Sequence, residues 1–540
     1  MKTLRSALAS CLALALIAPA QTAPDLAVIH RLKQEAFNNS QVMETLLHLT
    51  DKNGHRLTGS PGYKTAADYV VARLKQYGID NGHLEKFTFG RGWNYTRVSA
   101  HMIEPNVMPL IGFPMAWTPG TNGTITGDVI FAPFSPGAMD FAKWRGKLKD
   151  KIVLSAPLRE FTLATTPQAK RYADNDLEEL LKAPEPGTTP TRRPPTGGSA
   201  GGPPQSPESM RAARNLLNKF LREEGVKLVI TPGYQGDYGT VFAAGGGSQD
   251  PKSEMPPPML AIANEHYSSM VRLVQAKVPV KVEANIQADF IENADGFNVI
   301  AELKGSGPHK DEYVLIGGHL DSWHGATGAT DNAAACAVMI ETLRILKKLN
   351  VKLDRSVRIG LWGGEEQGLL GSKAYVKDHV ADRETMKLGP DHGKLTGYFN
   401  IDNGAGKIRG IYTQNNEMIA PLFDQWIKPF KDLGVTHVTN RTTGGTDHLS
   451  FDAVGIPGFQ FIQDPMDYMP RTHHSNMDTY DRVQKGDMLQ MVAVLSSFVV
   501  NAANLDQKLP RKPLPEPEKK RNEEKKDAPS ATASSAAGGQ

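Results

Sequence analysis

The chain has 540 residues, with 61 Lys and Arg against 58 Asp and Glu, and a formal net charge of +3. This length exceeds one typical domain and predicts two or three, with enough apolar residues to build proper cores. So small a net charge gives no support to nucleic-acid or membrane-surface binding, because both need a concentrated basic face.

The first 20 residues predict an export signal. A positively charged start precedes an apolar run over residues 7–18, and small residues at 18–20 offer a cleavage site. The run is too short to span a bilayer, so we expect a soluble protein, secreted or periplasmic, without stable membrane insertion. Cleavage would leave Cys336 as the one cysteine, which excludes an internal disulfide and a Cys-ligated zinc site.

The composition and the predicted elements of the first half of the chain change at about residue 125. Residues 64–79 carry apolar side chains at three- and four-residue spacing, which predicts an amphipathic helix. From about 125 to 285, short apolar runs predict strands and 210–223 predicts a helix. Stretches rich in Pro, Gly and Ser at 184–206 and 244–258 predict loops. This region lacks the spaced His and carboxylate clusters found later, so we interpret it as an inserted accessory domain.

From about residue 290 the pattern becomes regular. Strands are predicted at 313–317, 357–362, 397–401 and 458–462, alternating with helices at 333–349, 366–380, 416–432 and 488–500. Such alternation predicts an α/β fold whose central sheet is mostly parallel and flanked by helices on both faces. The charged, Pro-rich and finally small-residue-rich end predicts a disordered tail.

These features divide the chain into five predicted parts. They are a signal peptide (1–20), the N-terminal part of the main domain (21–124), an inserted smaller α/β domain (125–285), the main catalytic domain (286–506) and the disordered tail (507–540).

Acidic and imidazole side chains follow the predicted strands of the main domain, at the point where each strand ends. They come from five segments: His319 with Asp321, Asp331, Glu365 with Glu366, Asp402, and His473 with His474. In an open α/β sheet, groups just beyond the carboxyl ends of the strands converge on one crevice, the usual place for ligands. The sequence therefore predicts a metal site at this edge.

The types of candidate ligand indicate which metal binds, and their number indicates how many ions bind. Imidazole and carboxylate without thiolate suit catalytic zinc, with Mn²⁺ or Co²⁺ as substitutes. One ion needs about three protein ligands, whereas there are more candidates here: His319, Asp331, Glu366, Asp402 and His474. If Asp331 bridges, each of two ions receives one histidine, one terminal carboxylate and the shared one. Two such ions can hold a bridging water and clamp a carbonyl oxygen.

Two neighbours of the candidate ligands have other predicted roles. Glu365, beside Glu366, is free to act as general base, and Asp321 is placed to orient His319 through its second ring nitrogen. Each residue alone also has a structural interpretation, since an Asp at a helix start is usually an N-cap and acidic residues there complement the helix dipole. The metal site is favoured only by their joint occurrence at one sheet edge.

Five motifs in this order carry a family resemblance: GGHLDSWHGATGATDN, LWGGEEQGLLGS, NIDNGAG, GGTDHLSFDAVGIPGF and HHSNMDT. Over roughly 290–505 the chain resembles the di-zinc exopeptidase family that includes bacterial leucyl aminopeptidases and plasma glutamate carboxypeptidase. The segment GHRLTGSPGYKTAADYV near the N-terminus also matches. The resemblance implies the zinc-exopeptidase fold, two zinc ions per chain and a protease-associated domain at about 125–285.

The resemblance also implies roles for particular residues. One zinc would be held by His319, Asp331 and Asp402, and the other by Asp331, Glu366 and His474. Glu365 would shuttle the proton, and Asp321 would support the ligands. His474 is preferred to His473 because the family's ligand lies four residues before the acidic residue of a D/E-T pair, here Asp478.

One position departs from the family. Some relatives carry a Tyr just before the last ligand, where it helps to stabilise the oxyanion, whereas this chain has His473. We hypothesise that His473 donates that hydrogen bond. Asp447, in a Thr-Asp-His sequence, is expected to border the pocket.

The sequence thus predicts a zinc-dependent exopeptidase that acts on peptides and favours the aminopeptidase reaction; homodimer formation is left open. A carboxypeptidase or dipeptidase of the same family is the first alternative, with Arg441 and Arg471 near the motifs as cations for a terminal carboxylate. A glutaminyl cyclase would use one zinc ion on the same fold. A non-catalytic, receptor-like binding protein should have lost ligands, and here all five are present.

Overall fold

The computed structural model describes residues 23–135, 139–182 and 207–519. The predicted signal peptide, the predicted loop at 184–206 and the last part of the predicted tail, from 520 onward, lie outside the described residues. The helices are α1 (Leu26–Asn38), α2 (Val42–Leu49), α3 (Pro61–Gln76), α4 (Phe141–Trp144), α5 (Asp174–Leu181), α6 (Pro207–Glu223), α7 (Asn264–Gln275), α8 (Ala334–Lys348), α9 (Leu370–Tyr375), α10 (Ala420–Ile427), α11 (His448–Asp452) and α12 (Lys485–Ala503).

The strands are β1 (His83–Glu104), β2 (Met108–Pro109), β3 (Gly112–Pro114), β4 (Thr124–Phe131), β5 (Ile152–Leu154), β6 (Leu228–Thr231), β7 (Met259–Ile262), β8 (Lys281–Leu303), β9 (Tyr313–His319), β10 (Ser356–Trp362), β11 (Leu395–Asn400), β12 (Ile408–Tyr412), β13 (His437–Thr439) and β14 (Gly458–Gln463). Short helical turns at Ala329–Ala333 and Tyr468–Thr472 bear on the site.

The strands of the main domain form a mixed sheet. At its centre β10, β9, β11 and β14 are parallel neighbours in that order. On either side the sheet continues with antiparallel partners, β8 next to β10 and β12 next to β14. The predicted α/β class is confirmed, and the strands that carry the candidate ligands are the parallel ones.

Helix α12 lies in the middle of the main core. Among the described residues it is a helix long and apolar enough to cross a membrane, but 89% of its apolar window is buried inside the fold. Met488, Met491 and Phe498 belong to the main hydrophobic cluster, which also contains the buried face of α8. A helix that is apolar on all sides is expected in such a core position.

Two long strands join this sheet to a second lobe. β1 and β8 pair in antiparallel fashion over most of their length, from His83 opposite Ile300 to Glu104 opposite Lys281. The second lobe, defined here as β2–β7, α4–α7 and the outer halves of β1 and β8, has its own core with members from Ala100 to Ile286. The interpretation of 125–285 as a protease-associated domain stays a prediction.

Residues 507–519 do not form the disordered tail that composition predicts for 507–540. Leu509 is 1% exposed and belongs to the main core. Arg511 donates to two backbone carbonyls of the main domain at 2.8 and 2.6 Å, and Lys512 pairs with Asp452 at 2.6 Å. The prediction is wrong for this part because Leu509, Arg511 and Lys512 each find a partner on the main domain.

Candidate metal centre

The carboxyl ends of the parallel strands bring the predicted residues together. His319 is the last residue of β9, the Glu365–Glu366 pair follows β10, and Asp402 follows β11. Asp331 lies in the turn that leads into α8. The loop after β14 carries the His473–His474 pair. Because these strands are neighbours, their loops meet at one edge of the sheet.

The first donor set is formed by His319, Asp331 and Asp402. His319 Nε2 lies 3.1 Å from Asp331 Oδ1 and 3.3 Å from Asp402 Oδ1, and all three residues are buried. On the opposite side of the ring, Nδ1 lies 2.9 Å from the backbone oxygen of Asp321. A carbonyl only accepts, so Nδ1 carries a proton, and Nε2 is the ring nitrogen that faces the two carboxylates.

The side chain of Asp321 has a different contact from the predicted one. Its Oδ1 lies 3.7 Å from His319 Nδ1, so the backbone oxygen rather than the carboxylate orients the ring. The two carboxylate oxygens instead accept from the backbone N–H groups of Glu365 and Glu366, at 3.2 and 3.3 Å. Asp321 therefore fixes the turn that presents the glutamate pair.

The second donor set is centred on His474. Its Nε2 lies 2.9 Å from Glu366 Oε2 and 3.3 Å from Asp331 Oδ2. The donor atoms of Asp331, His473 and His474 also lie within 4.8 Å of one another, as do those of His319, Asp331 and Asp402. The two oxygens of Asp331 thus face different histidines, and this carboxylate belongs to both sets.

Several acceptor atoms at this edge are buried without a hydrogen-bond donor. They are Asp331 Oδ2, Glu366 Oε1 and both carboxylate oxygens of Asp447. A buried acceptor without a partner costs about 1–3 kcal/mol, and more when it is charged. Divalent cations satisfy such oxygens, so the residues present fit a pair of metal ions.

The pKa values show the same excess of negative charge. Burial raises the pKa of Glu366 to about 7, with Asp331 adding to the rise. Burial likewise raises the pKa of Glu365 well above its ordinary value, and the carboxylates of Asp402 and Asp447 add to it. Burial also opposes ionisation of Asp331, but His319 and His474 outweigh it and hold that pKa well below its usual range. Asp331, the carboxylate that belongs to both donor sets, is therefore ionised.

The side chain of Asp447 is fully buried. Burial raises its pKa to about 7, and the carboxylates of Asp402 and Asp321 add to the rise. It is therefore near the first donor set, and its place at the border of the pocket stays a prediction.

Two buried polar residues that the sequence analysis gave no role hold the backbone around the ligands. Arg56 is fully buried and donates to the backbone oxygens of Leu320 and Gly328 at 2.7 and 2.8 Å. Asp478 accepts from the backbone N–H groups of Thr330 and Asp331 at 2.6 and 3.1 Å. Arg56 lies within the N-terminal motif that resembles the family, so the sequence marked this segment but did not predict the contacts of Arg56.

Aromatic side chains surround the second donor set. The rings of His473 and His474 stack with centroids 3.6 Å apart, and Tyr468 meets His473 edge-on at 4.9 Å. Burial, followed by the carboxylates of Glu366 and Asp331, raises the pKa of Tyr234, a residue of the second lobe. The sequence gave no signal for Tyr234 or Tyr468, because neither residue lies within one of the five motifs.

Known proteins resemble this chain in sequence. The sequence pattern of Peptidase family M28 matches residues 298–499. Carboxypeptidase Q of Mus musculus is 25% identical over 473 residues, which are 87% of each chain. Leucine aminopeptidase 2 of Trichophyton equinum is 28% identical over 285 residues, which are 47% of this chain and 54% of that protein.

Solved structures agree with these matches. The Peptidase M28 precursor of Shewanella amazonensis has a TM-score of 0.64 at 25% identity and covers 91% of this chain and 98% of its own. A zinc aminopeptidase of Bacillus subtilis has a TM-score of 0.54 at 18% identity over 87% of this chain and 95% of its own, which shows a shared fold. The family resemblance of the motifs is confirmed, since residues 298–499 match Peptidase family M28, and the named peptidase relatives show that this chain is a metallo-exopeptidase.

Proposed function

We propose that this chain removes residues from peptide ends with two zinc ions, one in each donor set. The observation that carries the proposal is the position of Asp331, whose Oδ1 faces His319 and whose Oδ2 faces His474. Nitrogen and carboxylate donors without thiolate suit zinc, with Mn²⁺ or Co²⁺ as substitutes. When bound, zinc supplies Lewis-acid polarisation of a carbonyl and lowers the pKa of water.

Glu365 is the proposed general base. It lies in the turn after β10, where its backbone N–H donates to the Asp321 carboxylate, while the neighbouring Glu366 contacts His474. Burial and nearby carboxylates raise the pKa of Glu365, so its carboxyl group can take a proton from the attacking water and pass it to the leaving amine. His473 is proposed to donate a hydrogen bond to the oxyanion that forms.

The first candidate for the end attacked is the N-terminus of the peptide, as the sequence analysis favours. A specific observation supports the C-terminus as a second candidate. The sequence match to Carboxypeptidase Q covers 87% of this chain, including most of the second lobe. The sequence match to leucine aminopeptidase 2 covers 47%. We further propose that the mature chain is exported, on the composition of its first 20 residues.

Hydrolysis of end-blocked peptides by the zinc-loaded protein tests this proposal. One peptide is supplied free, N-acetylated, C-amidated and blocked at both ends. An aminopeptidase cleaves the amide but not the acetylated form, and a carboxypeptidase does the reverse. An N-terminal glutaminyl peptide, assayed for ammonia release, tests the cyclase. Cleavage of the doubly blocked peptide, or no cleavage of any peptide, would refute the exopeptidase assignment.

A further inference from the structure

The loop that carries His473 and His474 is held by the second lobe. We call residues 465–476, which follow β14, the ligand loop. Near its start, the backbones of Lys170 and Met466 exchange two hydrogen bonds of 3.0 and 2.8 Å. Near its end, Phe242 and Ser475 form an isolated antiparallel bridge. Both Lys170 and Phe242 belong to the second lobe, so the loop is fixed at both ends from outside the main domain.

A loop of the second lobe, residues 233–242, makes most of these contacts; we call it the clamp loop. The backbone groups of Val241 bond to Asn476 in both directions, with Val241 N–H donating to Asn476 Oδ1 at 2.7 Å and Asn476 N–H donating to the Val241 oxygen at 3.1 Å. Gln235 Nε2 donates to the Met469 oxygen at 3.1 Å. These bonds reach the ligand loop on both sides of its histidines.

Arg471 joins the two loops between those bonds. Its Nη1 donates to the backbone oxygen of Asp237 at 2.8 Å and to Thr240 Oγ1 at 2.6 Å, and the guanidinium pairs with the Asp237 carboxylate. Thr240 is 1% exposed, so the contact is shielded from solvent. The sequence analysis considered Arg471 for a substrate carboxylate, whereas its bonds here are directed to the second lobe.

The clamp loop is itself a tight structure. Gly233 and Gly236 have φ values of +68° and +121°, a region that favours glycine. A Cβ at Gly236 would lie 2.3 Å from the Thr240 oxygen, and one at Gly233 would lie 2.7 Å from the Phe242 oxygen. The loop therefore closes on itself, which presents Asp237, Thr240 and Val241 to the ligand loop in a fixed arrangement.

We propose that the clamp loop positions the ligand loop, so that His474 reaches the second donor set only when the second lobe holds it there. The inference rests on the proposed function in that the second set binds zinc. The predicted ligands all come from the main domain, and Asp237, Thr240 and Val241 act through the loop rather than on the substrate. Groups that orient a ligand control metal affinity, commonly by about 10–100-fold.

The test compares the full-length protein with the double variant Asp237→Asn/Thr240→Val, which removes the charge and the hydroxyl acceptor from the clamp loop. Thr439→Val is the matched control, because it removes another hydrogen bond between the lobes, from Thr439 Oγ1 to the Leu180 oxygen. Zinc titration gives the affinity of each ion, and hydrogen exchange followed by mass spectrometry reports on the backbone of 465–476. If the double variant lacks the parent's circular dichroism, Asp237→Asn alone replaces it.

We expect the weaker zinc site of the double variant to lose about tenfold or more in affinity, with faster exchange in the ligand loop and little change at the other site. Thr439→Val should match the parent in both measurements. The proposal would be overturned if the double variant bound zinc at the second donor set as tightly as the parent and its ligand loop exchanged hydrogen at the parent's rate. If the parent itself binds no zinc, the proposed function fails, and the exchange rates alone still decide whether the clamp loop holds the ligand loop.

Discussion

At the scale of single residues, the adjacent glutamates show how one short motif serves two purposes. Glu366 contacts His474 at 2.9 Å, whereas Glu365 lies in the field of Asp402, Asp447 and His319. The carboxylate of Asp321 accepts from both backbone N–H groups and so holds the two side chains apart. Adjacent residues after a strand point in different directions, and this allowed their separate roles to be predicted from the sequence.

Replacing Glu365 by Gln should remove the base and leave the metal site intact. We expect kcat to fall by about 10²–10⁴-fold, the usual contribution of a general base, with zinc content unchanged. Elemental analysis beside steady-state kinetics measures both. Glu366→Gln is the matched variant: it alters the partner of His474 and should lower zinc content as well. Full activity in Glu365→Gln would rule out its role as base.

Replacing His473 by Phe should preserve the stack on His474 but remove the hydrogen-bond donor. We expect kcat to fall by about 10²–10³-fold, as when one oxyanion donor is lost, while KM and zinc content stay near those of the parent. Steady-state kinetics with the preferred peptide measures kcat and KM separately. A kcat equal to the parent's would show that His473 does not stabilise the oxyanion.

At the scale of elements, the loop after β9 is tied to the second lobe by a buried histidine. His324 Nε2 donates to the Pro114 oxygen at 2.6 Å and its ring lies 5.0 Å from Trp93. Burial lowers the pKa of His324 to about 3, while the unfolded chain takes up a proton near pH 6.5. The folding stability that depends on this neutral ring is therefore complete above pH 6.5 and is lost as the pH falls toward 3.

His324→Gln tests this pH dependence, because an amide can still donate to the Pro114 oxygen. In the parent, His324 should lower the free energy of unfolding by about 1.4 kcal/mol for each pH unit below 6.5. Urea unfolding at pH 7 and pH 5 should show a smaller decrease in the variant. Replacing the exposed His30 by Gln is the control. An unchanged decrease in His324→Gln would contradict the account.

The segment after α12 is a second element whose packing can be tested. Leu509 is 1% exposed in the main core, whereas Leu514 is 50% exposed. Leu509→Ala should lower the free energy of unfolding by about 2–4 kcal/mol, the usual cost of truncating a buried leucine. Leu514→Ala should change it by less than about 1 kcal/mol. Equal effects in urea unfolding would show that residues 507–519 are not part of the core.

The sequence was informative where structure depends on local pattern. The strands ending at His319, Trp362 and Asn400 were placed within a few residues, because apolar runs and turn residues mark them. The candidate ligands followed from those strand ends. The helix predicted at 366–380 is shorter, since α9 begins at Leu370 after a turn that Asp321 holds through the N–H groups of the glutamates.

At the scale of the whole molecule, what the sequence did not reveal depends on contacts between distant segments. Arg471 and Asp237 are 234 residues apart in the chain, so no local sequence pattern could predict their contact. Tyr234 approaches the metal centre from the other lobe for the same reason. The two lobes share β1 and β8, so the predicted insertion is joined to the main sheet by paired strands rather than by flexible linkers.

We propose that this chain binds two metal ions that share Asp331. The most direct test of this proposal is the zinc content of the purified parent beside Asp402→Asn, which alters only the first donor set. Two tightly held ions in the parent and one in the variant are predicted, because a catalytic site needs about three protein ligands and the second set keeps its own. A single ion in the parent, or loss of both ions in the variant, would contradict the shared two-metal centre.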